Sequence, residues 1–454
     1  MKLLRFTGEN VRGYKKIDVS FREELTFLIG INGSGKTTVL KLIAGLVTPS
    51  LQELLQIEYT TISLSIMLPS KTIVEIKCVK DKDGFDLYYT DRKRDSRFKD
   101  RFDLLGFDIY ARRMTYRYNP EIMREYTRRF ESMPVVQRIM ELNTPLFLGL
   151  NRRINTVFDQ NRSMHRHIME EGESRGDTVD VALKDIQEMV YENIRQNARR
   201  QSQLSDNFRA KVLQESFRIY NSNNASIDNI TLKQQLSELT RKKKELTDSI
   251  TTLGISEVTD QVDTLFDELS QTVNILLTTA STYKNGVSDE YYEALMKWIV
   301  NSAQLEKIDS ITRYGNQYVE SITKLKEPIL RFTQSANLFF QESNKEILVD
   351  GQGEIKIKIN QFDKVTINTI YELSSGEKQL IIMLAHLIFY KNNKYAPVFI
   401  IDEPELSLHI SWQELFVDAL LKASPDTQFI LATHAPAIIA KTERKNYCED
   451  LSDK

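Results

Sequence analysis

Gly30-Ile31-Asn32-Gly33-Ser34-Gly35-Lys36-Thr37 sets glycines, a lysine and a hydroxyl in the order a phosphate cradle needs. Glycines free the backbone to turn its N–H groups inward around an anion, and a helix starting at Lys36 adds the positive end of its dipole. Gly30, Asn32, Gly33, Ser34, Gly35, Lys36, Thr37 and Thr38 are therefore the expected nucleotide contacts. Lys36 would bridge β- and γ-phosphate oxygens, and the Thr37 hydroxyl would ligate Mg2+.

That loop is half a site. Val398-Phe399-Ile400-Ile401-Asp402-Glu403 reads as an apolar strand ending in two carboxylates. Asp402 at its tip would hold Mg2+ through water, and Glu403 would orient or deprotonate an attacking water. Leu373-Ser374-Ser375-Gly376-Glu377-Lys378-Gln379 reads as a helix start, with Ser374 or Ser375 as cap and Gly376 permitting close backbone approach. Neither half works alone, so the fold must bring the two ends together.

Other chemistry-bearing groups have plainer readings. Glu75-Ile76-Lys77 and Glu354-Ile355-Lys356 mimic half of a metal-nuclease site but fit amphipathic strands. His165 and His167 stand two apart and point away from each other on a helix. Arg112, Arg113, Arg117, Arg124, Arg128 and Arg129, interleaved with Tyr116, Tyr118 and Tyr126, form a basic-aromatic segment extended by Arg152, Arg153, Arg162 and Arg166. Such a segment suits DNA or RNA phosphates, and equally a solvated helix face paired with Glu121, Glu125 and Glu131.

The elements that must position these groups follow from periodicity. Alternating Leu3, Leu4, Phe6, Val11, Ile17 and Val19 predict strands, and Leu25–Ile29 a buried strand running into the glycine loop. The next helix carries Val39, Leu40, Leu42, Ile43 and Leu46 inward. Strands are expected over Ser63–Met67 and Thr72–Val79, a hairpin at Asp83-Gly84, and strands at Phe85–Tyr89 and Pro145–Leu150. From 151 to 345 the texture turns polar and helical. Leu232, Leu236, Leu239, Leu246, Ile250 and Leu253 form one stripe, with Lys243 its polar seam position; Ile308, Ile311, Tyr318, Ile322, Leu325 and Ile329 form another. Separated by Gly254 and a loop near Asn285-Gly286, the two predict antiparallel helices packed on each other, the first spanning ~30 Å. After 346 strands return (Ile355, Ile357, Ile359, then Val365 and Ile367), the last being Gln428–Ala432, followed by a charged tail.

The chain has 454 residues, room for two or three domains, and a net charge of -2 that can hide a basic face. No apolar run approaches the ~18 residues of a membrane span, and no secretory pattern opens it. Two cysteines, Cys78 and Cys448, make neither a disulfide framework nor a metal knuckle. A cytoplasmic protein is expected.

The glycine loop, LSSGEKQ, IIDEPELSLH and ATHAP, split by a helical insert, together resemble the soluble ABC ATPases of the SMC and OLD kind. The resemblance covers about 1–50 and 365–440. It implies an α/β fold: an ABC-ATPase head (a split P-loop NTPase, mixed β-sheet with flanking helices) interrupted by a largely helical insert with a short antiparallel coiled coil. The head lobes would be 1–150 and 346–454, the insert 151–345. ATP and Mg2+ are the implied ligands. In that family the signature, here Ser374, Ser375, Gly376 and Glu377, reaches the γ-phosphate held by a second protomer, so the chain would pair with itself. His434, in Ala432-Thr433-His434-Ala435-Pro436, looks like the family's switch histidine, joining Glu403 and Lys36 in catalysis. Glu405-Leu406-Ser407-Leu408-His409 resembles the loop crossing between heads, and Gln160 or Gln137 stands near the place of the γ-phosphate-sensing glutamine. The short insert, with no Toprim nuclease, looks most like the PtuA ATPase subunits of Septu anti-phage systems, which implies an HNH-type nuclease partner (PtuB-like) and no membrane. A DNA-repair or chromosome-processing ATPase, and a scaffold that binds nucleotide without hydrolysing it, are the alternatives; Glu403 speaks against the last.

Overall fold

In the computed structural model, residues 1–93, 96–104, 120–142, 145–148, 154–155, 178–218, 229–253, 256–282, 288–361, 364–389, 398–406, 408–439 and 441–452 are described. Alternation of apolar and polar residues builds the first sheet. Its strands are β1 (Lys2–Val11) and β2 (Lys15–Ser20), then, beyond β3 (Leu25–Ile29), α1 (Lys36–Val47) and α2 (Leu51–Gln56), β4 (Thr61–Met67), β5 (Ile73–Lys80), β6 (Gly84–Asp91) and β7 (Ser96–Asp103). They run antiparallel in the order β2-β1-β4-β5-β6-β7. At the expected Asp83-Gly84 hairpin the Asp81 carboxylate accepts from both N–H groups, at 2.9 and 2.8 Å. Strand β7 was not foreseen, because Ser96–Asp103 carries charge at most positions. It is an edge strand, where charge blunts further pairing, and it is anchored by Phe102 against Phe85 and Phe130.

Past α3 (Pro120–Glu131) and α4 (Pro134–Met140) come β8 (Leu146–Leu148) and β9 (Ile154–Asn155). Four helices follow, α5 (Thr178–Ser216), α6 (Asn229–Leu253), α7 (Thr259–Thr282) and α8 (Asp289–Phe340), and then the small antiparallel sheet β10 (Lys345–Val349), β11 (Ile355–Gln361), β12 (Lys364–Thr369). The remaining elements are α9 (Ser375–Phe389), β13 (Val398–Asp402), α10 (Ile410–Ala423), β14 (Gln428–Ala432), α11 (Pro436–Ile439) and β15 (Cys448–Asp450).

The sheet that matters for chemistry has the order β15-β3-β14-β13-β8-β9, parallel except at β8–β9. Strand β3, from the N-terminal end of the sequence, lies between two strands from the C-terminal end, with Leu431 in register with Phe27. Phe27, Leu28, Phe399, Ile400, Ile401, Phe429, Ile430 and Leu431 are fully buried, the unbroken apolar run a parallel sheet covered on both faces requires. Gln428 is buried there too and is satisfied. It accepts from Leu3 N–H at 2.7 Å and donates to Leu3 O and Arg22 O at 2.8 and 2.7 Å. The expectation of a charged tail after His434 is corrected: β15 pairs with β3 and Leu451 is buried, so this segment belongs to the core sheet. Its strand is only three residues long, too short for a periodicity to show.

The molecule divides into two compact units, one of Met1–Tyr191 with Arg331–Lys454 and one of Glu192–Leu330. The divisions fall inside α5 and α8, because each helix continues unbroken through them; the sequence boundaries at 150/151 and 345/346 mark changes of texture instead. In the second unit, Leu232, Leu239, Leu246 and Ile250 of α6 pack chiefly against Phe266, Leu269, Val273 and Leu276 of α7, with Trp298 and Leu305 of α8 completing the cluster. The first stripe therefore has a nearer partner than the second stripe, namely the helix directly after it. Lys243, the polar seam residue, pairs with Asp263 and Asp267 of α7 at 3.1 and 2.9 Å. At 1.5 Å per residue α6, which carries the first stripe, is ~38 Å long, a little beyond the ~30 Å of the stripe, and α8, which carries the second, is ~78 Å.

Candidate nucleotide site

Three loops leave the C-terminal edge of the parallel sheet side by side, from β3, β13 and β14, where open α/β sheets place their ligands. The loop after β3 turns through Gly30, Gly33 and Gly35 at φ 148°, 87° and 104°, and Gly35 is the N-cap of α1. A Cβ at Gly30 would fall 2.6 Å from Ser34 Oγ, so only glycine closes this cradle. Lys36, 5 % exposed, folds back to donate to Gly30 O at 2.8 Å. Its ammonium also stands 4.0 Å from Glu403 Oε1.

Asp402 ends β13 and is 4 % exposed. Burial pushes its carboxyl up from the usual carboxylate range, while a hydrogen bond with the Thr37 side chain and the nearby Lys36 pull it down. Its Oδ1 and Ser34 Oγ are buried without a partner among the described residues. Orphaned buried oxygens beside a helix N-terminus fit a cation–phosphate pair: a carboxylate and hydroxyl for Mg2+, N–H groups and an ammonium for the phosphates. Thr37, Asp402 and the loop therefore suit the expected ligands.

Glu403 has φ 51°, a left-handed backbone unusual for a residue with a side chain, with a cost on the order of 1–3 kcal/mol. Its N–H donates to Ala432 O at 2.8 Å, which holds it between β13 and β14. The strain aims its carboxylate at the end of β14, where the His434 Nδ1 lies 2.5 Å from Glu403 Oε2. The same nitrogen is 3.0 Å from Glu405 Oε1. Burial raises the Glu403 carboxyl above its ordinary range, the contact with Glu405 raises it further, and His434 opposes both. The ligand atoms of Glu403, Glu405 and His434 lie within 4.8 Å of one another. His434 Nδ1 is the hydrogen-bond partner of Glu403 and stands beside Glu405, so the three side chains form one interacting cluster.

The signature segment is built as a reciprocal cap. Ser374 N–H donates to Glu377 Oε2 at 2.8 Å and Glu377 N–H to Ser374 Oγ at 3.4 Å, while Lys345 pairs with Glu377 at 2.7 Å. Lys378 is tied to Asp180, in the first turn of α5, at 2.9 Å. Ser374 and Ser375 are exposed, and among the described residues no hydrogen bond or ion pair of Ser374–Lys378 reaches the glycine loop of the same chain. His409 is an N-cap, accepting from Ser411 N–H, which accounts for it structurally. Gln137 is exposed on α4, ahead of β8. Gln160, Ser407, His165, His167, Arg112–Tyr118, Arg152, Arg153, Arg162 and Arg166 lie outside the described residues; Arg128 and Arg129 are exposed on α3. Lys77 and Lys356 belong to ordinary strands, with Lys356 paired to Asp350 and Glu354 at 2.8 and 3.1 Å.

Sequence reasoning missed three contributors. Lys15 donates to Ser34 O at 2.6 Å and Arg12 Nε to Thr38 Oγ1 at 2.9 Å, both delivered by the β1–β2 turn. A glycine with basic neighbours in that turn (Arg12-Gly13-Tyr14-Lys15) was the available signal. Glu405 was seen only as part of a loop, though its carboxylate stands beside Glu403 and His434.

The profile of the AAA ATPase domain matches residues 1–439. The chain belongs to that family. Two retron proteins are similar to it: "Retron Vc95 probable ATPase" of Vibrio cholerae serotype O1 biovar El Tor, 29 % identical over 29 % of this chain and 32 % of that one, and "Retron Ec83 probable ATPase" of Escherichia coli, 22 % over 34 % and 38 %. The chain thus spans about a third of the length of these relatives. A 41-residue stretch is 46 % identical to the DNA double-strand break repair Rad50 ATPase of Methanosarcina mazei, 9 % of this chain and 4 % of that protein. The Smc head domain of Pyrococcus furiosus bound to the C-terminal domain of ScpA superposes over 97 % of this chain and 91 % of its own, with 11 % identity and a TM-score of 0.38. The SMC head domain of Thermotoga maritima gives 10 % identity and 0.33, over 97 % and 92 %. The fold assignment rests on the strand order above. No described helix is long and apolar enough to cross a membrane.

Proposed function

We propose that this ATPase works as a pair of heads that close on ATP and Mg2+, and that their closure regulates a separate nuclease in an anti-phage assembly. One observation carries the ATP-hydrolysing part: Lys36, Glu403 and His434, from three separate segments, meet at one edge of one sheet.

In this reading Lys36 exchanges Gly30 O for phosphate oxygens. Thr37 and Asp402 would hold Mg2+, which would neutralise charge on the phosphates. Glu403 orients a water and takes its proton as the new O–P bond forms and the bond to the β-phosphate oxygen breaks, releasing ADP and phosphate. His434 holds the Glu403 carboxylate through Nδ1. Ser374 and Ser375, exposed and turned to no group of their own glycine loop, are free to meet the triphosphate of a second copy.

The assignment to defence rests on the resemblance to Septu ATPase subunits and is supported by similarity to the two retron ATPases. Similarity to a Rad50 stretch favours the second reading, a head that cycles on DNA. Two measurements separate them. Affinity capture from the native host should recover an HNH-type nuclease whose activity responds to ATP. ATP turnover stimulated by DNA in the absence of such a partner would favour the repair reading. Turnover that survives both Lys36→Ala and Glu403→Gln would refute the site altogether.

A further inference from the structure

Glu405 is 7 % exposed, and its Oε1 gathers three hydrogen-bond donors. Thr433 Oγ1 donates at 2.8 Å, His434 N–H at 2.9 Å and Ala435 N–H at 3.1 Å, and the His434 Nδ1, hydrogen-bonded to Glu403, stands 3.0 Å from the same oxygen. These donors occupy three consecutive residues, so one oxygen fixes the backbone that carries the His434 ring. Oε2 has no partner among the described residues. A buried carboxylate with one oxygen accepting three hydrogen bonds and one unused is not placed there for its charge alone.

The acceptor itself is mounted on the crossing loop. Leu406 N–H donates to Glu403 O at 3.2 Å and Leu408 N–H to Glu405 O at 3.0 Å. Gln413 Nε2 then donates to Leu408 O at 3.1 Å, tying the turn to the start of α10. Leu406, next to Glu405, is exposed at the surface of this turn. A shift of the turn therefore moves the Glu405 carboxylate, and with it every group that donates to Oε1.

We propose that Glu405 is a positioning residue for hydrolysis, locking His434 onto Glu403 and transmitting to that pair the position of the loop that a second head would contact. The inference rests on the reading of Glu403 and His434 given above. Glu405 touches neither phosphate nor water in it. It sets the ring orientation of His434 by holding the backbone at 433–435 and by standing 3.0 Å from Nδ1. Removing the acceptor frees the ring to rotate away from Glu403, while the glycine loop, Lys36 and Asp402 keep their own contacts.

Steady-state ATP turnover of the full chain, with Mg2+, tests this through the separation of kcat from KM. Glu405→Ala is expected to lower kcat at least ~10-fold and leave KM within ~2-fold, as loss of an interaction used only in the transition state does. Glu405→Gln keeps a carbonyl oxygen for the same donors and is expected to restore kcat to within ~3-fold of the parent. Should Glu405→Ala fail to fold, Thr433→Val removes one donor from the same oxygen and is expected to lower kcat at least ~3-fold at unchanged KM, the order expected for the loss of a single hydrogen bond. Parental kcat in Glu405→Ala, equal damage in Glu405→Gln and Glu405→Ala, or a joint loss of kcat and ATP binding overturns the inference. If Glu403→Gln itself leaves turnover intact, the parent reading has failed; if Glu403→Gln stops turnover while the Glu405 and Thr433 variants turn over like the parent, only the role of Glu405 has.

Discussion

Lys36 and Glu403, from opposite ends of the sequence, stand 4.0 Å apart, ammonium to carboxylate. Each is largely buried, and a buried charge left unpaired costs several kcal/mol. At 4.0 Å the pair is loose, and each group has a nearer partner: Gly30 O for the lysine and His434 for the glutamate. In the proposed reading a triphosphate would take over the ammonium of Lys36 from Gly30 O and Glu403.

The first prediction follows from that exchange. Lys36→Ala removes the donor that phosphate oxygens would take over, and strips Glu403 of its cation. Turnover should fall on the order of 100-fold, the effect of about 3 kcal/mol of lost transition-state stabilisation. Calorimetric titration with a non-hydrolysable triphosphate should show a parallel loss of affinity; undiminished affinity would remove Lys36 from the phosphate site.

The second concerns Glu403, whose carboxyl is pushed up mainly by burial and by Glu405. A carboxyl raised on folding favours the protonated native state. Its contribution is fully present below the unfolded value of about 4.5 and is lost as pH rises through the higher native value. At neutral pH the ionised group thus weakens the fold, in a backbone conformation already strained. Glu403→Gln should stop turnover and raise the melting temperature at pH 8 by about 1–3 °C, the shift for roughly 0.5–1 kcal/mol. The gain should vanish near pH 4. A melting temperature equal to or below the parent's at pH 8 would mean that Lys36 and His434 outweigh burial.

Much of this arrangement was legible because it is local. The glycines of the loop, the apolar run before Asp402 and the serine–glutamate spacing of Ser374 and Glu377 each state their geometry within a few residues. The relation between α6 and α7 was not legible: two leucine stripes looked alike, and which helix pairs with which is decided by loop length and by Phe266, Leu269 and Val273, whose spacing in α7 drew no attention. Strand β7 hid behind its charges and β15 behind its brevity. Glu405 was visible only as a letter in a loop, because its meaning depends on three donors contributed by the end of another strand.

Strand β15 supplies the third prediction. Leu451 is 1 % exposed and packs in the same cluster as Leu28, Val39 and Ile430. Leu451→Ala should cost about 2–4 kcal/mol through lost burial and the cavity left behind. Chemical denaturation of the full chain measures it. A loss below about 0.5 kcal/mol, the level of a surface substitution, would return this segment to the status of a loose tail.

The fourth prediction tests pairing of the heads. Ser374 is exposed and contributes only its cap, donating its N–H to Glu377 and accepting at Oγ from the Glu377 N–H. Ser374→Ala loses the Oγ acceptor, at a cost of about 1 kcal/mol, and adds nothing. Ser374→Arg loses the same acceptor and adds a long cation where a second copy's triphosphate would have to approach. In a Glu403→Gln background, which should hold the closed state, light scattering with ATP and Mg2+ should show a dimer for Ser374→Ala and a monomer for Ser374→Arg. Both should bind ATP as the parent does, since the glycine loop is untouched. Because the two variants share the damage to the cap, only the bulk and charge at the surface separate them. A dimer that forms equally well in Ser374→Arg would place the contact between copies elsewhere and leave the exposed serines without a role in hydrolysis.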